Sequence, residues 1–169
     1  GDTFGAMSVS GKNAFNAPFE PFLFDVVHIP FPVEGEEDKT IAAMEAAVQE
    51  GGVAAFIYEP LIQGAAGMRI YSPEVLDKLL AVCKTDNVLA IQDEVMAGFG
   101  RTGRLFAADH LNQKADIYCF SKGLTGGTLA LGLTTCTQAI YEAFLSDDRA
   151  KTFFHGHSFT ANPVACATA

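Results

Sequence analysis

Three short apolar runs, Val53 to Tyr58, Val88 to Gln92 and Ile117 to Phe120, each give way to polar, ionisable residues. The first ends at Glu59, the second at Asp93 and Glu94, and the third at Ser121 and Lys122. Each is too short for a surface helix and too uniformly apolar for a strand with one wet face, so all three read as strands buried on both sides. Between the first two, Ser72 and Pro73 supply an N-cap and a first helical position, and Leu76, Leu79, Leu80 and Cys83 follow at i, i+3, i+4 and i+7. Ahead of the first run, Ile41, Met44 and Val48 fall on one face of a helix predicted over Asp38 to Gln49. Its positive N-terminal end suits Glu36, Glu37 and Asp38, and Gly51 and Gly52 stop it. Strands alternating with helices of this length predict an α/β fold, a mainly parallel sheet flanked by helices.

The remaining segments are less periodic. Residues 1–32 read mostly as loop, with a strand predicted at Phe24 to Ile29. Glycine-rich loops follow the first two strands, and a short helix or turn is predicted around Ala107 to Asn112. A strand at Leu129 to Thr135 can pair in either orientation, and helices are predicted at Gln138 to Leu145 and Asn162 to Ala169. With no repeat, low-complexity tract or shift in composition, residues 1–169 are expected to form one unit. Both ends read as cut, which predicts part of a larger domain.

A net charge of −9 argues against nucleic acid or an anionic membrane surface as partner and leaves small molecules and protein subunits. No apolar run is long enough to cross a bilayer, and the first residues lack the pattern of a secretory leader. Cys83, Cys119, Cys136 and Cys166 form no CxxC pair and sit in apolar stretches that read as core, which favours a reduced, cytoplasmic interior over a disulfide or zinc framework.

Ligands of open α/β sheets sit beyond the carboxyl ends of the strands, where this chain offers Glu59, Asp93 with Glu94, and Lys122. An amine and a carboxylate arriving on separate strands suit a pyridoxal cofactor. The amine forms a Schiff base, and the carboxylate keeps the pyridine nitrogen protonated. Gly123, Gly126 and Gly127 let the backbone approach a flat ring. From spacing alone a plainer reading stays open, in which Asp93 and Glu94 cap the next element and Lys122 is a solvated loop lysine.

Two longer stretches decide between these readings. Residues 93–103, DEVMAGFGRTG, and 116–127, DIYCFSKGLTGG, resemble in order and separation the signature of the class III pyridoxal-phosphate-dependent aminotransferases. Three further segments resemble one branch of that family, which serves biotin synthesis: GDTFGAMS at 1–8, EPLIQGAAGMRIY at 59–71 and HGHSFTANP at 155–163. The resemblance covers essentially the whole chain. It implies the large cofactor-binding domain of fold type I, without the small domain, and pyridoxal 5'-phosphate as cofactor. It also implies transfer of an amino group from S-adenosylmethionine to 8-amino-7-oxononanoate, giving 7,8-diaminononanoate, in a cytoplasmic homodimer with a shared active site.

Position by position, the resemblance implies that Lys122 holds the cofactor covalently and shuttles the proton, that Asp93 pairs with the pyridine nitrogen and that Val95 packs on the ring. Ser158 would reach the phosphate of the neighbouring subunit, while Asp2 and Arg101 would line the substrate pocket. Ser158 stands where the family usually has threonine, Ala66 where glycine is more usual and His157 where proline is frequent. Met96 cannot hydrogen-bond the cofactor's phenolic oxygen as the glutamine of some related branches does. Other class III ω-aminotransferases, acting on ornithine, acetylornithine, 4-aminobutyrate or diamines, and a non-catalytic fragment remain the alternatives. Glu59 reads equally as a residue behind the site or a strand-end cap, and no histidine or cysteine spacing supports a metal site.

Overall fold

The computed structural model describes residues 3–169. Its contacts group the chain into two compact units, Gly1–Gly51 and Gly52–Ala169.

In the first unit, helix α1 spans Phe4–Val9 and α2 spans Glu37–Glu50, with a 3-10 segment at Ala17–Phe22. The predicted helix at 38–49 is thus present and one residue longer at each end. The predicted strand at Phe24 to Ile29 is absent, and the stretch expected to be loop contains α1 instead. That helix has a recognisable start, because the Thr3 hydroxyl accepts from the Ala6 N–H at 3.3 Å. It is only six residues long, too short to display an apolar stripe.

In the second unit, strand β1 is Ala55–Tyr58, β2 Ile62–Gln63 and β3 Arg69–Ile70, followed by helix α3 at Pro73–Thr85. Strand β4 is Leu89–Asp93, β5 Ile117–Phe120 and β6 Leu133–Cys136, and the short helices α4 and α5 span Gln138–Glu142 and Pro163–Ala167. The main sheet runs β1-β4-β5-β6. Its first two pairings are parallel, with Tyr58 opposite Gln92 and Asp93 opposite Cys119, and β6 joins antiparallel, with Phe120 opposite Leu133. The sheet is therefore mixed and mainly parallel. The glycine-rich loop after β1 contains the small antiparallel pair β2–β3, which a run of two residues per strand gives no periodicity to predict.

Helix α3 begins as its sequence dictates, with Pro73 at the first position and the Ser72 hydroxyl accepting from the Val75 N–H. Its buried face is Val75, Leu76, Leu79, Leu80 and Cys83. Leu76 and Leu80 join Tyr58, Leu61, Ala90, Ala97, Ala107, Leu111 and Ala115 in one core. Leu76 is fully buried, and burial of such a side chain stabilises the fold by about 1.5–3 kcal/mol. Cysteine burial departs from the expectation: Cys83 is buried and Cys119 half-buried, but Cys136 and Cys166 are exposed. All of the last strand, β6, is exposed, so an apolar stretch there does not make a core.

Candidate active site

Because β1, β4 and β5 run parallel and in register, the residues that follow them emerge at one end of the sheet. Asp93 is the last residue of β4, and the Glu94 N–H donates to the Cys119 carbonyl at 2.9 Å. Lys122 lies three residues beyond Cys119, at the start of a 3-10 turn over Lys122–Thr125.

A cavity of about 310 Å³ opens at this end, lined by Val95, Met96, Gly98, Phe99, Gly100, Arg101, Lys122 and Gly123. Its volume falls at the lower bound of the roughly 300–1,000 Å³ typical of small-molecule sites. Three of the sequence-predicted residues, Val95, Arg101 and Lys122, are brought together in its wall. Asp93 is half-buried beside it, with one carboxylate oxygen, Oδ1, accepting from the Val95 N–H at 2.9 Å. Among the described residues Oδ2 of Asp93 and the Lys122 Nζ have no hydrogen-bond or ion-pair partner.

Two wall residues adopt backbone angles unusual for their type. Phe99 has φ 61° and Lys122 φ 46°, both in the left-handed region that costs a side-chain-bearing residue about 1–3 kcal/mol. The surroundings enforce them. The Phe99 ring meets Phe106 and Phe120 edge-on, with centroids 5.4 and 6.2 Å away. The Ser121 hydroxyl donates to the Leu131 carbonyl at 2.7 Å and the Thr125 hydroxyl to the Leu129 carbonyl at 2.6 Å, pinning both ends of the turn that carries Lys122. The turn closes at Gly126, φ 60°, as a left-handed C-cap.

The Arg101 Nε donates to the Met96 carbonyl at 2.6 Å, which folds the exposed guanidinium back over its own loop. Glu59 acts as a loop clasp, its Oε1 accepting from the Gly64 N–H at 3.1 Å. Beside Asp93, the Cys119 thiol is pushed up from its ordinary value by burial first and then by the Asp93 charge. It stays protonated at neutral pH, so it is a poor competitor for an electrophile.

One predicted residue on a different segment, Ser158, is absent from this wall. Ser158 is exposed in the turn before α5, where the Thr160 hydroxyl accepts from the His157 N–H at 2.9 Å, and it does not line the cavity. Asp2 lies outside the described residues. Sequence reasoning offered Glu94 beside Asp93 at the strand end and gave it no role of its own, yet it is fully buried and accepts three hydrogen bonds. The signal was its place directly after Asp93, where a second acid needs a reason to be buried.

The family described as aminotransferase class-III matches residues 1–169. An adenosylmethionine-8-amino-7-oxononanoate aminotransferase from Synechococcus elongatus is 51% identical over all of this chain and 42% of its own length. The crystal structure of the adenosylmethionine-8-amino-7-oxononanoate aminotransferase from Methanocaldococcus jannaschii aligns with TM-score 0.90 and 40% identity, covering all of this chain and 40% of that one. An (S)-enantioselective omega-transaminase from Thermomicrobium roseum aligns with TM-score 0.89 and 32% identity, covering 98% of this chain and 39% of its own. The chain thus spans about two fifths of the length of the curated relatives it matches.

Proposed function

The chain belongs to the class-III aminotransferases, and from that premise we propose that the full-length protein moves an amino group from S-adenosylmethionine to 8-amino-7-oxononanoate, giving 7,8-diaminononanoate in biotin synthesis. The observation that carries the reading is the meeting of Lys122, Val95 and Arg101 in one cavity beside the end of the strand that carries Asp93. The names of the similar proteins from Synechococcus elongatus and Methanocaldococcus jannaschii support the choice of substrates.

Class III aminotransferases depend on pyridoxal phosphate, and the residues here fit that group. A flat ring needs a wall that leaves it room, and Gly100 supplies one open position, with nothing within 4 Å of where a Cβ would stand. It needs an amine with no competing partner, which Lys122 offers, and a carboxylate oxygen left over after local bonding, which Asp93 Oδ2 offers. When bound, the cofactor supplies an aldehyde that condenses with amines and a protonated ring that accepts an electron pair.

The chain's own residues then divide the work. Lys122 Nζ would hold the cofactor and, once freed by the donor amine, would act as general base and then general acid, moving a proton from the substrate carbon to the cofactor. The backbone turn held by Ser121 and Thr125 keeps that amine from wandering. Asp93 Oδ2 holds the proton on the pyridine nitrogen, while Oδ1 stays on the Val95 N–H and fixes the carboxylate plane. Val95 and Phe99 exclude water from the ring faces, which strengthens these charges. Arg101 meets the substrate through its terminal nitrogens, because its Nε is already committed to Met96.

Ser158, exposed and away from this cavity, suits a contact with the phosphate in a neighbouring subunit, so the working unit is a homodimer with shared sites. The described residues form part of the large cofactor-binding domain, and the free cysteines suit a cytoplasmic setting. No helix among the described residues is long and apolar enough to cross a membrane.

The test is a half-reaction. Full-length protein loaded with pyridoxal phosphate should lose its yellow colour when S-adenosylmethionine is added without acceptor, and regain it with 8-amino-7-oxononanoate. Bleaching by an ω-amino acid but not by S-adenosylmethionine would replace these substrates with those of another class III branch.

A further inference from the structure

We propose that Glu94 is a positioning residue of this site: its buried carboxylate holds the Val95–Arg101 segment in the shape that presents Arg101 to substrate. This rests on the reading of the cavity as the substrate and cofactor site. Glu94 is 0% exposed, as is Gln92, and no described lysine, arginine or histidine pairs with it. A charge buried without a counter-ion survives only where hydrogen-bond donors replace its water. Here three do so: Gln92 Nε2 at 2.7 Å and the Ala108 N–H at 2.8 Å on Oε1, and the Ala107 N–H at 3.1 Å on Oε2.

The two alanine amides lie 13 and 14 residues downstream of Glu94. The Glu94 carbonyl meanwhile accepts from the Gly98 N–H at 2.9 Å. One residue therefore grips the start of the loop with its backbone and the far end with its side chain. The span between these grips supplies six of the eight cavity-lining residues: Val95, Met96, Gly98, Phe99, Gly100 and Arg101. The fit is tight, since a Cβ on Gly98 would stand 2.8 Å from the Glu94 carbonyl oxygen and 3.5 Å from Oε2. Lys122 belongs to a different turn with its own clasps, so Glu94 bears on substrate binding more than on attachment of the cofactor.

Replacing Glu94 by glutamine keeps the volume but leaves one acceptor oxygen facing three donors, so at least one N–H loses its partner. In full-length protein, E94Q should raise KM for the amino donor about tenfold with kcat within about twofold. Borohydride should still fix the cofactor onto Lys122, and amide exchange at Ala107 and Ala108 in the cofactor-free protein should quicken. In an R101A background, E94Q should add less than about twofold to KM, because its effect passes through Arg101. Should E94Q fold poorly, E94D keeps the charge and withdraws the carboxylate by one methylene from the Ala107 and Ala108 amides. It should raise KM in the same way. An unchanged KM in both variants, a loss confined to kcat, or a full additional factor in the R101A background would overturn the proposal. A parent protein that forms no adduct on Lys122 would sink the reading of the cavity and this inference together.

Discussion

Gly123 and Phe99 touch so closely that a Cβ on Gly123 would stand 2.8 Å from both the Cβ and the Cδ2 of Phe99. The contact joins the turn that carries Lys122 to the loop that carries Arg101, and only a glycine permits it. Phe99 cannot retreat, since its ring is wedged against Phe106 and Phe120. G123A should therefore destabilise the full-length protein by about 1–3 kcal/mol, the usual cost of overpacking. Urea unfolding checks it, and an unchanged midpoint would contradict it.

D93N should leave the fold intact while lowering kcat/KM, because an asparagine Oδ1 can still accept from the Val95 N–H. What it loses is the charge that, in the proposed function, would hold a proton on the pyridine nitrogen. A fall on the order of 10²–10³-fold, typical of a deleted electrostatic partner, is expected. Steady-state kinetics beside an unchanged thermal unfolding midpoint would bear this out.

Behind the site, Tyr58 donates to Gln92 Oε1 at 2.8 Å, and Gln92 in turn donates to Glu94. Burial raises the Tyr58 hydroxyl pKa far above its ordinary value, so it serves as a donor at every accessible pH. Y58F leaves the buried Gln92 oxygen without its hydrogen bond, and should cost about 1–3 kcal/mol in stability. Tyr58 does not line the cavity, so kcat should change little.

Asp77 on α3 clasps the loop before β5, accepting from the Asn112 N–H, the Asn112 Nδ2 and the Gln113 N–H at 2.8–3.1 Å. Burial works to raise its pKa, but these donors, with Lys114 nearby, prevail and hold it below the ordinary 3.8. A depressed carboxylate contributes stability above its unfolded value and loses it as pH falls through the folded one. The parent's advantage over D77N should be full at neutral pH and shrink below 3.8, as unfolding midpoints across the acid range would report.

Much of the fold was legible because its signals are strong and local. Ser72-Pro73 and the Leu76, Leu79, Leu80, Cys83 stripe leave one way to build α3, and the apolar runs before Glu59, Asp93 and Lys122 do form strands. The expected burial on both faces fails for β1, which ends the described sheet with Ala55 and Ile57 exposed, and for Leu89 at the start of β4. What escaped had no period to read. The helix at Phe4–Val9 and the pair Ile62–Gln63 with Arg69–Ile70 are too short, and the run at Phe24 to Ile29, β-prone by composition, finds no strand partner among the described residues. Exposed Cys136 and Cys166 show that an apolar neighbourhood in sequence does not ensure burial.

For the site, Val95, Arg101 and Lys122 were singled out from the motifs and line one cavity, but two features need three dimensions. The left-handed backbone of Phe99 and Lys122 is imposed by packing and by hydroxyl clasps from residues up to ten positions away. The role of Glu94 depends on amides 13 and 14 residues along the chain, a separation that carries no sequence pattern.

The central claim is that Lys122 is the amine that holds the cofactor, and reduction tests it most directly. Full-length protein incubated with pyridoxal phosphate, treated with borohydride and digested should yield one modified peptide, with the added mass on Lys122, and K122A should yield none there. A modified peptide carrying the mass on another lysine, or a parent protein that takes up no mass at all, would contradict the account.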